Sequence, residues 1–381
     1  MTKPLKIGVV GVGTVSLRGV ISHLVQADIQ HRVTVTALCD PVKERVEGAA
    51  QRYGIAQVFT DFETFLREGD IDAVTLATPI GLHYEQGKAA LLAGKHVHFN
   101  KTMTVTTAEA TELIDLARQR NLRIVASPGE MLRPHNREIK RMIEGGKLGT
   151  LAWAMCGASF GSHHEDEPER HNAPGKTAID PGWYFRKPGG GPLYDMTVYA
   201  LHGLTGVLGP AKSVTALSGI RVSERSFGER MIPTECNDNT LMLLDFGASM
   251  YAVVYGTAAG GVRYPLDFSG TYFGTHGTVA GLLLNGTPFD YEGRSIAIGA
   301  PDGGVNPGGG GNEWILPNIE GAHRDIPEQH VYADIMQLVD CVNLGTTSVA
   351  SAEHARHVIE IIEAALRSAE TGAAQALTTT F

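Results

Sequence analysis

Lys101, Asp195, Tyr199 and His202 are of the types that oxidation of an alcohol requires. Turning a secondary hydroxyl into a ketone removes a hydride and a proton. A proton acceptor must therefore stand within about 2.6–3.2 Å of the hydroxyl. A lysine beside a cation and partly withdrawn from water gives up its own proton more readily and can serve. So can a histidine, or a tyrosine held near cations. Asp195, Tyr199 and His202 recur at i, i+4 and i+7, one face of a helix, so the spacing predicts that all three turn toward a single cleft. The competing reading makes Tyr199 and His202 hydrogen-bonded core residues and Lys101 an exposed lysine at a strand end.

These residues need a scaffold, and the chain before Lys101 supplies one. "LKIGVVGV" (5–12), "RVTVTALCD" (32–40), "IDAVTLATP" (71–79), "HVHFN" (96–100) and "LRIVASP" (122–128) read as strands. Helical patterns separate them, the last, "TAEATELIDLARQRN", opening on a Thr cap with a glutamate in its first turn. Strands alternating with helices imply a parallel sheet with right-handed crossovers. Lys101 then lies at the carboxyl end of a parallel strand, where open α/β sheets place ligands.

The first strand runs into Gly11-x-Gly13-x-x-Ser16, with Thr14 and Val15 opening a helix. A glycine turn between strand and helix lets backbone approach a pyrophosphate at a helix N-terminus. The third small position is usually Gly or Ala; here it is Ser16. The second strand ends in Asp40, somewhat beyond the usual spacing of about 20 residues. A carboxylate there accepts from adenosine ribose hydroxyls and repels a 2′-phosphate, which favours NAD over NADP. The competing reading has Asp40 cap the turn before Pro41.

After Pro128 the pattern changes to an amphipathic helix, "HNREIKRMIEGGKLG", and then to longer alternating runs such as "TLMLLDFGASMYAVVYGTA". These imply a mostly antiparallel sheet. Its candidate covers are a helix near 195–208 and the late helix "AEHARHVIEIIEAALRSAE". The fold expected is α/β: a Rossmann doubly wound parallel sheet over 1–128, then an α/β domain with an open, mostly antiparallel sheet over 129–381.

The totals narrow the function classes. The chain has 381 residues with formal charge −9, 43% hydrophobic and 19% charged. A net acidic chain without a Lys/Arg block argues against nucleic-acid or anionic-membrane partners. Cys39, Cys156, Cys236 and Cys341 are not at metal-ligand or redox spacing, so reduced thiols in a cytoplasmic protein are expected. The N-terminus reads as a strand rather than a signal peptide, and no run of eighteen apolar residues occurs.

Several markers together resemble the Gfo/Idh/MocA family of NAD(P)-dependent sugar and polyol oxidoreductases, over nearly the whole length. They are the glycine turn with Asp40, "ATPIGLH" leading to "AGKHV", the lysine of "NKT", "GGGPLYDMTVYALH", "GTHGTV" and "IIEAALRSAETG". The resemblance implies an active site between the two domains and hydride transfer at the nicotinamide. It implies that Lys101 lies near both nicotinamide and reacting hydroxyl, that Asp195 contacts substrate or supports the proton relay, and that Thr78, Pro79 and His83 lie on the nicotinamide side. The family's Glu-Lys-Pro is here Asn100-Lys101-Thr102, where Asn100 can still bond a ribose hydroxyl. The family's histidine four residues after the aspartate is here Tyr199.

Trp183 and Tyr184 with Arg186 and Lys187 suit a sugar face and an anionic substituent. Arg133 and His135 are further candidates to line the cleft. "HHEDEPERH" contains His164, read as a polar loop or substrate contact. No spacing there supports a metal, and none is expected.

Three functions fit. The first is an NAD-dependent dehydrogenase of a sugar, sugar acid or cyclitol, as a homodimer or homotetramer. The second is a redox-neutral glycosidase that oxidises C3 transiently, eliminates the aglycone, adds water and reduces the ketone, acting on an anionic sugar such as a sulfosugar. "YALHGL" resembles the Tyr-x-x-His-Gly-Leu run of such enzymes. The third is a non-catalytic NAD-binding sensor, against which Lys101 and Asp195 argue.

Overall fold

A computed structural model describes residues 3–159, 181–227, 230–259, 266–298 and 313–381. His164 and the rest of the "HHEDEPERH" stretch lie outside the described residues. Val- and Ile-rich runs form six strands: β1 (Leu5–Val10), β2 (Val33–Cys39), β3 (Gln57–Phe59), β4 (Ala73–Leu76), β5 (His96–Phe99) and β6 (Ile124–Ala126). They make one sheet in the order β3-β2-β1-β4-β5-β6, all pairs parallel. This is the doubly wound Rossmann order. The short β3, half-buried throughout, is the one strand here that the sequence pattern did not mark. The helix Thr107–Gln119 is capped by Thr106, one residue before the threonine that opens the quoted stretch, with Glu109 completing a capping box.

The order has a direct consequence for the site. β4 lies between β1 and β5, so three carboxyl-end loops stand side by side: the glycine turn, residues 77–79 and residues 100–102.

Among the described residues the second sheet has nine strands. Its centre is β7 (Leu151–Ser159), β8 (Ser213–Gly219), β11 (Asn239–Gly247), β12 (Met250–Thr257) and β13 (Leu266–Gly274). Among the described strand pairs only β7–β12 is parallel. The chain between β8 and β11 forms a separate hairpin of β9 (Glu224–Phe227) and β10 (Arg230–Pro233). One face of the large sheet is covered by the helices Val198–Leu208 and Ala352–Thr371, whose Leu201, Leu204, Ile361 and Ile362 pack among Ala154, Cys156, Met242 and Val254. Burial alternates strictly along Asn239–Leu244, as a sheet with one solvated face requires. On the other face Leu217 is 76% exposed and Leu243 53% exposed, and Leu241 and Tyr251 are exposed beside them.

One late segment joins the first sheet. Val331, Tyr332, Ile335, Met336 and Val339 of the helix Gln329–Asn343 pack against Leu5, Ile7, Val9 and Val33. Ala350 and Ser351 then bond the edge at Ala126 and Val125. The first sheet therefore takes one of its helical covers from residues far along the chain.

Candidate active site at the seam between the sheets

The glycine turn has the form its spacing implies. Gly11 has φ +82°, and a Cβ there would come 2.7 Å from the Ala77 carbonyl oxygen, so a side chain is excluded twice over. Ser16 donates its hydroxyl back to the Gly11 carbonyl, which accounts for a buried serine at the third small position. The helix from Thr14 begins with a wide π turn over Ser16–Val20. At Gly19 a Cβ would come 2.4 Å from the Cβ of Glu328, so this helix packs directly on the loop that leads into Gln329–Asn343.

Asp40 is buried at the end of β2. Its carboxylate accepts from Val12 N (2.8 Å) and Val42 N (2.9 Å) and pairs with Arg45 Nη1 (3.1 Å). It therefore ties the glycine turn to the following helix. Arg45, five residues after Asp40, is a neighbour that the motif alone did not single out. An open glycine turn, the free N–H groups of a helix start and a carboxylate at the β2 end fit an adenine dinucleotide.

Asn100, buried, accepts from the Lys101 backbone N–H at 2.8 Å and so shapes the turn that presents Lys101. The Lys101–Thr102 peptide is cis. The side chain of Lys101 donates to the carboxylate and to the main-chain carbonyl of Asp195. Thr102 Oγ1 donates to the Tyr194 carbonyl (2.7 Å), and Tyr194 Oη donates to the Val105 carbonyl (2.8 Å). Residues 101–105 and 194–195 are thus stitched together across the seam. Lys101 Nζ also lies 5.5 Å from the centroid of the Tyr199 ring.

His83 does not open toward solvent. It is buried between two loops, Nδ1 2.8 Å from the Thr102 carbonyl and Nε2 2.9 Å from the Thr78 carbonyl. Burial pushes it down to about 4, against the two carbonyls, which favour the charged ring. It braces the Lys101 turn against Thr78. Thr78 itself is half-buried, its hydroxyl bonded to Gln86 Oε1 at 2.6 Å, and Pro79 is exposed.

The helical-face expectation holds for two residues of three. Asp195 and Tyr199 meet at Lys101; His202 does not. Leu193–Thr197 forms a wide π turn. It holds one residue more than an α turn, and each residue is worth about 100° of rotation, so the face is offset beyond it. His202 is buried against His354, ring centroids 4.6 Å apart, and burial pushes it down to about 3. It is a core histidine between two helices.

Arg133 and His135 are also inside rather than along an open cleft. Arg133, buried, pairs with buried Glu130 at 3.0 Å. His135 lies with Nε2 3.1 Å from Ser269 Oγ and its ring edge-on to Tyr291. They follow the last strand of the first sheet, but the helix start that carries them is packed against β13 through His135 and Ser269.

Trp183 and Tyr184 stack at 3.9 Å, and Tyr184 shares a small recess with Gly191, Pro192 and Asp195. Arg186 and Lys187 are exposed on the following turn. That turn is anchored by close approach of Pro188 to Gly81 and of Gly189 to Ile80, which brings it beside the 77–83 loop. Behind Tyr184–Phe185 lies a buried pair, Arg225–Asp238 at 2.6 Å, with the Arg225 guanidinium 4.5 Å from the Phe185 ring centroid. Among the described residues no cluster of His, Cys, Asp and Glu could hold a metal ion.

One neighbour of Tyr199 had no signal in the sequence. Tyr199 Oη lies 3.2 Å from His330 Nε2, and His330 is the second residue of the helix that joins the first sheet. Nothing local in "IPEQHVYAD" distinguishes it; only the crossing of that helix back to the seam brings it to Tyr199.

Comparison with known proteins agrees with this architecture. Residues 5–127 match the model of the oxidoreductase family, NAD-binding Rossmann fold, and residues 136–280 match the GFO/IDH/MocA C-terminal domain. Among curated proteins, the chain is 28% identical over 244 residues to D-glucoside 3-dehydrogenase of Escherichia coli, covering 60% of this chain and 62% of that protein. It is 24% identical to scyllo-inositol 2-dehydrogenase (NADP(+)) IolW of Bacillus subtilis, covering 96% and 94%. The chain spans less than two thirds of the length of the first curated relatives it matches, from 53% to 63%. In fold it is similar to a levoglucosan dehydrogenase solved with NADH and L-sorbose, at TM-score 0.74 and 18% identity, covering 99% of this chain and 100% of that one. With both family models matched in order, and with the glycine turn and the Lys101–Asp195 seam where those two domains meet, the chain belongs to the Gfo/Idh/MocA oxidoreductase family and carries its NAD-binding Rossmann domain.

Proposed function

We propose that this chain is an NAD-dependent oxidoreductase acting on a hydroxyl of a sugar, sugar acid or cyclitol. The observation that carries the reading is the Lys101–Asp195 pair, formed across the seam at the carboxyl end of β5, with the ring of Tyr199 beside Lys101 Nζ. Bound NAD supplies the hydride acceptor. The Thr78–Pro79 loop and the Asn100–Lys101 turn flank the space beside the glycine turn and would hold its nicotinamide end, while Asp40 would hold its adenosine end.

An ammonium group has three N–H donors. Two of those on Lys101 are directed to Asp195, which leaves one for a substrate oxygen. Such a donor favours charge developing on that oxygen as its proton leaves. Tyr199, whose ring lies beside Lys101 Nζ, would receive that proton. The Trp183–Tyr184 stack suits the apolar face of a sugar ring, and exposed Arg186 and Lys187 suit an anionic substituent.

The exposed apolar face of the nine-stranded sheet, with Trp153 and Phe273 stacked at 4.0 Å, supports pairing with a second copy of the chain. A cytoplasmic setting is consistent with four buried cysteines free of disulfides.

The test incubates the protein and NAD+ with methyl D-glucosides, levoglucosan and inositols, and in parallel with 4-nitrophenyl glycosides. NADH absorbance and released nitrophenol are both followed. Net NADH without cleavage is the expected result. Cleavage without net NADH would replace this reading by the redox-neutral glycosidase. Retained NAD with neither product would leave a binding protein.

A further inference from the structure

We propose that His330 is a positioning residue for proton transfer, holding the phenol of Tyr199 and taking its proton as Tyr199 receives the proton of the substrate hydroxyl. This rests on the reading of Lys101, Asp195 and Tyr199 as the reaction centre. A phenol titrates near pH 10. A tyrosine that holds its phenolic proton can accept another only by passing its own onward.

The geometry supplies the receiver. His330 Nε2 is 3.2 Å from Tyr199 Oη, and the two rings meet edge to face with centroids 5.7 Å apart. His202, the histidine on Tyr199's own helix, is turned away to His354.

The step balances. The substrate O–H bond breaks and an O–H bond forms on Tyr199 Oη. The original Tyr199 O–H bond breaks and an N–H bond forms on His330 Nε2. The electron pair released at the substrate oxygen completes the carbonyl, while the carbon's hydrogen leaves with its electron pair to NAD+. The positive charge gained by the ring meets groups of the opposite sign. Glu328 Oε2 lies 3.9 Å from His330 Nε2, and Arg18 approaches the other oxygen of Glu328 at 3.7 Å. Asp334, one turn along the same helix and buried, lines a narrow recess with His330, Glu130 and Arg133, the last two paired with each other. The loop that carries Glu328 packs on the NAD-binding helix at Gly19, so the receiver is braced against the cofactor's own scaffold.

The experiment compares wild type, His330→Gln and His330→Ala with the sugar from the panel that wild type oxidises fastest. It records kcat, KM, their pH profiles, and NAD+ affinity by fluorescence quenching. The expected result for His330→Gln is a loss of about 100-fold in kcat, with KM and NAD+ affinity within a few-fold. The acid limb of the wild-type profile, where activity falls as His330 becomes charged before the reaction, is lost too. Added imidazole is expected to restore part of the rate of His330→Ala but none of that of Lys101→Met. A His330→Gln enzyme with wild-type kcat and an unchanged acid limb would overturn the proposal. So would a folded His330→Ala enzyme that imidazole fails to rescue.

A second readout does not depend on turnover. The His330 imidazole, identified in NMR spectra by its absence from His330→Gln, is titrated in wild type and in Tyr199→Phe. A changed midpoint supports the link, and an unchanged one refutes it. Wild type that oxidises no sugar would overturn the reading of the reaction centre, while the titration still decides the Tyr199–His330 link.

Discussion

Lys101 donates to both the carboxylate and the main-chain carbonyl of Asp195, a residue 94 positions further along the chain. The first sheet supplies the lysine and the second domain supplies the acid, so neither half of the chain owns the site. Both side chains are largely buried, 15% and 7% exposed, and each is the counter-charge of the other.

Replacing Lys101 by Met is expected to lower kcat at least 100-fold while NAD+ affinity, measured by fluorescence quenching, stays within a few-fold. Asp195→Ala leaves the lysine charge without its partner and is expected to cost about 3 kcal/mol of stability in urea unfolding. The double variant should lose less than the sum of the two single losses, since its second change removes a charge already unpaired.

Asp40→Ala removes the acceptor for two backbone N–H groups and for Arg45. The dissociation constant for NAD+ is expected to rise at least tenfold, about 1.4 kcal/mol. The ratio of NADP+ to NAD+ affinity is expected to rise, because a repelling carboxylate is gone and a guanidinium is released beside the adenosine end. Paired titrations with the two nucleotides read both effects.

Acid is expected to destabilise the fold well above the carboxylate range. Burial holds His98, His135 and His202 down to about 3 and His357 to about 4, against an ordinary value of 6.5. Between about pH 6.5 and 4 the unfolded chain therefore binds more protons at these positions than the folded one. Stability rises with pH through that window and is lost as pH falls through it. Thermal unfolding at pH 7.5, 6 and 5 should show a progressive fall in Tm. His202→Asn, if it folds, should flatten the slope by about one proton's worth.

The open sheet face gives a separate outcome. Leu243→Glu places a charge in the middle of an apolar surface that is solvent-facing in the single chain. Sedimentation velocity is expected to show a shift to monomer with little change in the Tm of the single-chain fold. An unchanged assembly would move the contact to another surface.

How far the sequence reached can be argued from particular residues. The Rossmann half was legible because its signals are local. A strand, a glycine turn and a helix follow within a few residues, and burial on both faces makes each strand a short continuous apolar run. Lys101 was legible as a strand-end residue for the same reason. The short β3 was missed because three half-buried residues carry no periodic pattern.

His202 was misplaced by a different cause. The i, i+7 argument assumes uniform α geometry, and one wide turn at Leu193–Thr197 breaks that assumption. Arg133 and His135 were cleft candidates because they follow the last strand of the first sheet; whether such a side chain faces a ligand or a buried partner depends on what packs over it.

The amino-acid sequence by itself determined the NAD-binding sheet, its glycine turn and the residue types at the proposed reaction centre. These depend on contacts within one strand–turn–helix unit. The tertiary structure alone decided which of those residues meet. Lys101 finds Asp195, and Tyr199 finds His330, through packing between segments far apart in the chain. Such contacts are set by how whole helices and sheets bury their apolar faces, which no local spacing records.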